Sequence, residues 1–179
     1  YSFVLAPLTP PVSIVGEGAG GWPTGAPGEI DANQMATTDG VIYTLSGLTL
    51  TTGPIKFRQD NSWTINWGGT TFPPGTGLPG SDANIPAVAG TYDVTFNRTT
   101  LEYSFTVPTV AIVGDGAGGW PSDPQIDVNQ MTTTDGVIYT ISGLTLTDGY
   151  MKFRQNNSWD VNWGGTTFPA GTGLPGSDA

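Results

Sequence analysis

Short stretches of alternating apolar and polar residues, each bounded by turn-forming residues, recur along this chain, and a period of two is the signature of half-buried β-strands. Ser13-Ile14-Val15 opens the series. Val41-Ile42-Tyr43-Thr44-Leu45, Ile55-Lys56-Phe57-Arg58-Gln59, Trp63-Thr64-Ile65-Asn66-Trp67, Tyr92-Asp93-Val94-Thr95-Phe96 and Leu101-Glu102-Tyr103-Ser104-Phe105 continue it. The Asp60-Asn61-Ser62 step predicts a hairpin between the Lys-Phe-Arg strand and the Trp strand, and Asn97-Arg98-Thr99-Thr100 predicts another between the last two. Helical period is nearly absent; at most a turn is expected near Asp31-Ala32-Asn33-Gln34-Met35, with Asp31 as its cap. Segments 16–34 and 68–90 read as long loops, which in a compact domain are packed Ω-type structures or functional ones. Alternation places Ile55, Phe57 and Gln59 on one face of their strand and Lys56 and Arg58 on the other. With the Asn61 hairpin, Thr64 and Asn66 join the cations outside, while Trp63, Ile65 and Trp67 lie on the opposite face. The expected core therefore includes Tyr43, Phe57, Ile65, Val94 and Phe96.

The pattern then starts again. Residues 12–83 and 110–179 carry one text with roughly four positions in five identical, the mark of a repeat array. Gly-Ala-Gly-Gly-Trp-Pro stands at 18–23 and 116–121, and Lys-Phe-Arg-Gln at 56–59 and 152–155. Tyr1-Ser2-Phe3 matches Tyr103-Ser104-Phe105, and the second copy reaches Ala179 where a counterpart of Asn84–Phe105 would follow. The expected organisation is residues 1–11 as the tail of a preceding copy plus a Pro-rich linker, 12–106 as a complete copy, and 107–179 as a second copy truncated before its last two strands. About 95 residues per copy suits one small domain with a single core. Antiparallel strands at this spacing predict an all-β fold of tandem immunoglobulin-like sandwich repeats. Pro7, Pro10, Pro11 and Pro108 stiffen the joints, so the copies are expected to extend as a rod or filament.

Composition narrows the function. The 179 residues contain no Cys and no His, which removes disulfides, thiolate metal sites and imidazole chemistry. A net charge of −10 argues against nucleic acid and anionic membranes as partners. No apolar run is long enough to span a bilayer as a helix, so no membrane insertion is expected of this segment. Glycoside hydrolysis needs two placed carboxylates. Glu29 has Gln125 as its counterpart and Asp60 has Asn156, leaving Asp31, Asp39 and Asp82 as shared acids in turn-like contexts, and no catalysis is expected. Gly16-Glu17-Gly18-Ala19-Gly20-Gly21 looks like a phosphate loop, but Trp22-Pro23 stands where the helix should begin. Asp31-x-Asn33 and the Glu17 or Asp115 loop offer oxygen ligands without a full calcium-loop pattern, and no metal or cofactor is expected.

Charge placement supplies the candidate chemistry. Of five cations, four are Lys56, Arg58, Lys152 and Arg154, each beside a Trp-rich strand. An indole plate with Lys, Arg and Asn suits a sugar, whose apolar face stacks and whose hydroxyls take directional hydrogen bonds. The same residues admit a plainer reading: Trp63 and Trp67 as core, Trp22 as a loop plug, and the cations as partners of the abundant carboxylates.

The order of these phrases carries a resemblance. Gly20-Gly21-Trp22, Gly40-Val41-Ile42-Tyr43-Thr44, Leu50…Gly53…Lys56-Phe57-Arg58, Asn61…Trp63…Asn66-Trp67-Gly68-Gly69, Asn84-Ile85-Pro86…Ala89-Gly90-Thr91-Tyr92-Asp93-Val94-Thr95-Phe96 and Leu101…Tyr103-Ser104 together resemble the SusE/SusF domain of Bacteroidota outer-membrane starch-utilisation lipoproteins. The resemblance implies a β-sandwich at the cell surface, without catalysis, that binds glycan through an aromatic platform. By position it implies Trp22, Lys56, Arg58, Trp63 and Asn66 as glycan-binding candidates, with Trp120, Lys152, Arg154, Trp159 and Asn162 in the second copy. Near-identity of neighbouring copies looks more like the stalk of a surface adhesin or fibre. Two readings therefore stand: a non-catalytic repeat of an extracellular adhesin or filament, whose partners are neighbouring repeats, or a true polysaccharide-binding protein acting in glycan capture.

Overall fold

Each strand expected in residues 12–106 is present in the computed structural model, which describes residues 9–176. The Tyr1-Ser2-Phe3 phrase and Pro7 lie outside those residues. Contacts divide the chain into two units between Val107 and Pro108.

The first unit contains β1 (Val12–Gly16), β2 (Ile42–Leu50), β3 (Gly53–Gln59), β4 (Ser62–Gly68), the short β5 (Gly75–Thr76), β6 (Leu78–Pro79) and β7 (Ile85–Ala87), then β8 (Gly90–Asn97) and β9 (Glu102–Thr106). They form two antiparallel sheets. One runs β1-β3-β4-β6 with β7 also on β3, and the other runs β2-β8-β9-β5. The two bury a shared core. Alternate residues of β8 (Tyr92, Val94, Phe96) and β9 (Tyr103, Phe105) meet Ile14, Ile55, Phe57 and Trp67 of the other sheet. Phe57 stacks on Phe96 with ring centroids 4.6 Å apart, and Trp67 leans on Phe96 at 5.1 Å. Interlocked aromatics of this kind supply large apolar burial in a domain without disulfides.

Both predicted hairpins form. Asp60 and Asn61 have φ of 56° and 51°, the pair of left-handed residues that a two-residue type I′ turn requires. At the other, the Asn97 side chain accepts hydrogen bonds from the Thr99 and Thr100 amides. No helix forms at Asp31–Met35; instead Gln34 bridges to Ser13 and the Met35 amide bonds the Val12 carbonyl, so this segment runs along the free edge of β1. Asp39 occupies a turn as expected, its carboxylate taking the Val41 and Ile42 amides, which hold its pKa below the usual range.

One face assignment is overturned. Gln59 pairs with Ser62 across the tight turn, but Arg58 pairs with Asn66, so Trp63, Thr64 and Ile65 form a bulge with no partners on β3. A bulge reverses which face the following side chains take. Ile65, expected in the core, is 41% exposed, while Trp67 is buried as expected.

The second unit holds β10 (Val110–Val113), β11 (Lys152–Gln155), β12 (Ser158–Gly164) and β13 (Leu174–Pro175) in one four-stranded antiparallel sheet. Its Asn156 and Asn157 repeat the left-handed turn, with φ of 54° and 55°. Residues 138–146, nearly identical to β2, form no strand.

Candidate functional site

β3 is buried on both faces. Ile55 and Phe57 enter the core, while Lys56 and Arg58 point the other way and are buried all the same. The loop after β1 covers Arg58, and Lys56 reaches the Ser81 carbonyl beyond β6. Gly16 and Gly21 exchange backbone hydrogen bonds of 2.8 and 2.9 Å, closing a small ring over a single 3-10 turn (Glu17–Ala19). Gly16 is at φ 129°, and a Cβ there would lie 2.3 Å from the Pro54 carbonyl oxygen, so the glycines of this phrase serve a close chain crossing and not a phosphate cradle. Asn33 then pins the return of the loop, its amide nitrogen donating to the Ile14 and Ala19 carbonyls at 3.2 and 2.8 Å.

This path delivers Asp31 onto Arg58. Arg58 Nε donates to Asp31 Oδ2 at 2.7 Å and Nη2 donates to Oδ1, with both side chains fully buried. The Ser13 hydroxyl donates to the same carboxylate, and the Asp31 amide bonds Asn61 Oδ1 at 2.9 Å. Burial alone would raise the Asp31 pKa; hydrogen bonds from Arg58 and Ser13 and the Arg58 charge outweigh it and hold the pKa below the usual carboxylate range. Glu29 Oε2 adds a second carboxylate 4.0 Å from Nη2. Asp31 does not cap a turn as expected: both its oxygens are engaged by Arg58 and Ser13, and Asn33 uses its side chain as a donor.

The bulge brings Trp63 to the Arg58 side, where the guanidinium carbon lies 4.8 Å from the ring centroid. Trp63 had been expected on the core face. Its Nε1 donates to the Pro23 carbonyl at 3.1 Å, so the ring is fixed between the cation and the loop. Trp22 packs against it at 5.9 Å and 45°, and is 37% exposed. Lys56 Nζ donates to the Ser81 carbonyl and lies 3.5 Å from Asn66 Oδ1, while Asn66 Nδ2 donates to the Trp63 carbonyl at 2.9 Å. The five candidates are thus one cluster, in which Trp22 is the most open member and Arg58 is closed off.

The second copy builds the same cluster with different acids. Arg154 is fully buried and pairs with Asp127, and its Nη1 meets Asp123 at 2.9 Å while Nη2 donates to the Gln125 carbonyl. Trp159 lies 4.9 Å from the guanidinium, bonds the Pro121 carbonyl and packs on Trp120 at 6.0 Å. Trp120 is 44% exposed. Asn162 Nδ2 donates to the Trp159 carbonyl, and Lys152 is half-buried. The loop here is two residues shorter between Trp and the paired Asp, yet the Arg still receives a second carboxylate, from Asp123 in place of Glu29.

Residue patterns missed the Asp31–Ser13 and Asp127 contacts. The available signal was that an Asp stands at the end of the loop in both copies although the loop length changes. Among the described residues there is no group of three or more His, Cys, Asp or Glu placed to hold a metal ion. Compared with protein-family models and with curated proteins, the chain matches none.

Proposed function

We propose that this chain is a segment of tandem immunoglobulin-like sandwich repeats that serves as a non-catalytic spacer in an extracellular adhesin or filament at the cell surface. The observation that carries this reading is the inward closure of the Trp–cation cluster. Arg58 is bound to Asp31, covered by Trp63 and sealed by the loop through Pro23, so the groups that suit a sugar are engaged in tying a long loop to the sheet. A buried bidentate pair of this kind, repeated in the second copy, fits a module whose task is to hold its shape. The surface location rests on the likeness of its motifs to the SusE/SusF domain.

A polysaccharide-binding reading keeps one specific support. Trp22 and Trp120 are each partly exposed and backed by a second indole about 6 Å away, a geometry on which a pyranose could stack. Chains of two, four and eight copies separate the readings by small-angle scattering. A spacer lengthens in proportion to copy number, and a compact globule whose maximum dimension barely grows would overturn the proposal.

A further inference from the structure

The loop that covers the buried arginine is tied down differently in the two copies. In the second, the loop reaches the sheet through Asp123: Arg154 Nη1 donates to its carboxylate at 2.9 Å, and the Trp159 amide donates to its two oxygens at 3.2 and 3.1 Å. Arg154 Nη2 adds a bond of 2.8 Å to the Gln125 carbonyl. Asp123 stands three residues after Trp120, and three residues after Trp22 stands Gly25. A Cβ built on Gly25 would lie 3.0 Å from Trp63 Cδ1 and 3.8 Å from Arg58 Nη1, so this position faces the same partners without a side chain to reach them. Arg58 Nη1 is accordingly buried with no hydrogen-bond partner. Glu29 does not replace the tie. Its carboxylate accepts the Thr24, Gly25 and Ala26 amides and the Thr24 hydroxyl, and it comes only within 4.0 Å of Arg58 Nη2. Among the described residues, no hydrogen bond joins residues 24–29 to the sheet; the flanking anchors are the Pro23 carbonyl on Trp63 Nε1 and Asp31 on Arg58.

We propose that residues 24–29 of the first copy are a lid that opens over Arg58 and Trp63, and that Asp123 locks the corresponding loop of the second copy shut. The lid moves as one piece, because Glu29 gathers the Thr24, Gly25 and Ala26 amides onto its own carboxylate while its amide bonds the Ala26 carbonyl. The backbone change falls on the residues beside the two anchors. Closed, the lid leaves a buried guanidinium N–H unpaired, which is unfavourable; open, water reaches that N–H. Opening therefore gives up packing on the indole but breaks no hydrogen bond to the sheet, and the two states lie close in free energy. In the second copy the same motion would strip a buried arginine and the Trp159 amide of their acceptors. The Asp31–Arg58 pair lies outside the lid, so the first copy keeps its loop anchored while the lid moves.

Relaxation-dispersion NMR on the 179-residue chain reads this motion, because lid opening falls in the microsecond-to-second range. The expected result is conformational exchange at the amides of residues 24–26 and 29 and at the Trp63 indole N–H, described by one process with an open population of about 1–10%. The Ser122, Asp123 and Gln125 amides and the Trp159 indole should show none. Gly25→Asp supplies the missing carboxylate at a backbone φ of 77°, a region that Asp tolerates better than most residues, and the exchange should be lost. Asp123→Gly should bring exchange to the second copy's loop, and it reads the proposal independently should Gly25→Asp fail to fold. Absence of exchange in the parent lid, equal exchange in the two parent loops, exchange that persists in a folded Gly25→Asp chain, or a folded Asp123→Gly chain whose loop stays silent would each overturn the proposal.

Discussion

Replacing Asp31 with Asn removes the charge that Arg58 is buried against while keeping the shape of the side chain. Arg58 and Asp31 side chains are both fully buried, joined by two hydrogen bonds, and Ser13 donates to the same carboxylate. Breaking a buried pair from one side typically costs about 3–5 kcal/mol, because the remaining charge is left uncompensated. Glu29 at 4.0 Å is partly exposed and offsets some of this, which places the expectation near the lower end, at about 3 kcal/mol. For a domain of this size that corresponds to a fall in melting temperature of about 12–24 °C. The double replacement Asp31→Leu with Arg58→Met removes both charges, and most of the loss should return. Urea unfolding followed through amide resonances of each unit measures the effect separately from the second copy. A loss below about 1 kcal/mol for Asp31→Asn would refute the reasoning, since a ligand-facing, solvated Arg58 would tolerate the change.

Phe57→Ala should cost about 3–5 kcal/mol in the first unit, whereas Phe153→Ala, at the half-exposed equivalent, should cost much less in the second; equal losses in the same unfolding experiment would contradict the difference in burial. The depressed Asp31 pKa also fixes a pH dependence. Its contribution is present above the ordinary carboxylate range and is lost as pH falls through the lower folded value, so the stability gap between the parent and Asp31→Asn should shrink on acidification. A gap that stays constant from neutral pH into strong acid would show that the carboxylate is not held by Arg58.

The period-two pattern made the strands and both hairpins of the first unit legible, because alternation and turn residues are local properties. The face of Trp63 and Ile65 was not, because Ser62 to Trp67 alternates as a regular strand would, and only the pairing of Gln59 with Ser62 and Arg58 with Asn66 reveals the three-residue bulge. Burial of Arg58 was hidden for a different reason. Strand periodicity reports which side a residue faces but not whether a loop from elsewhere covers that side, and the cover here comes from Pro23 to Asp31, at a separation of 27 residues in the Asp31–Arg58 contact. The candidates did fall in one place: Trp22, Lys56, Arg58, Trp63 and Asn66 form a single cluster, as do their counterparts in the second copy.

Affinity electrophoresis of the parent chain through gels containing α-glucans or other polysaccharides tests most directly whether the Trp–cation cluster is a latch or a binding site. The account predicts mobility unchanged by glycan, with Trp22→Ala plus Trp120→Ala leaving that mobility as it was. Retardation of the parent chain that this double replacement abolishes, with each unit still folded, would contradict it.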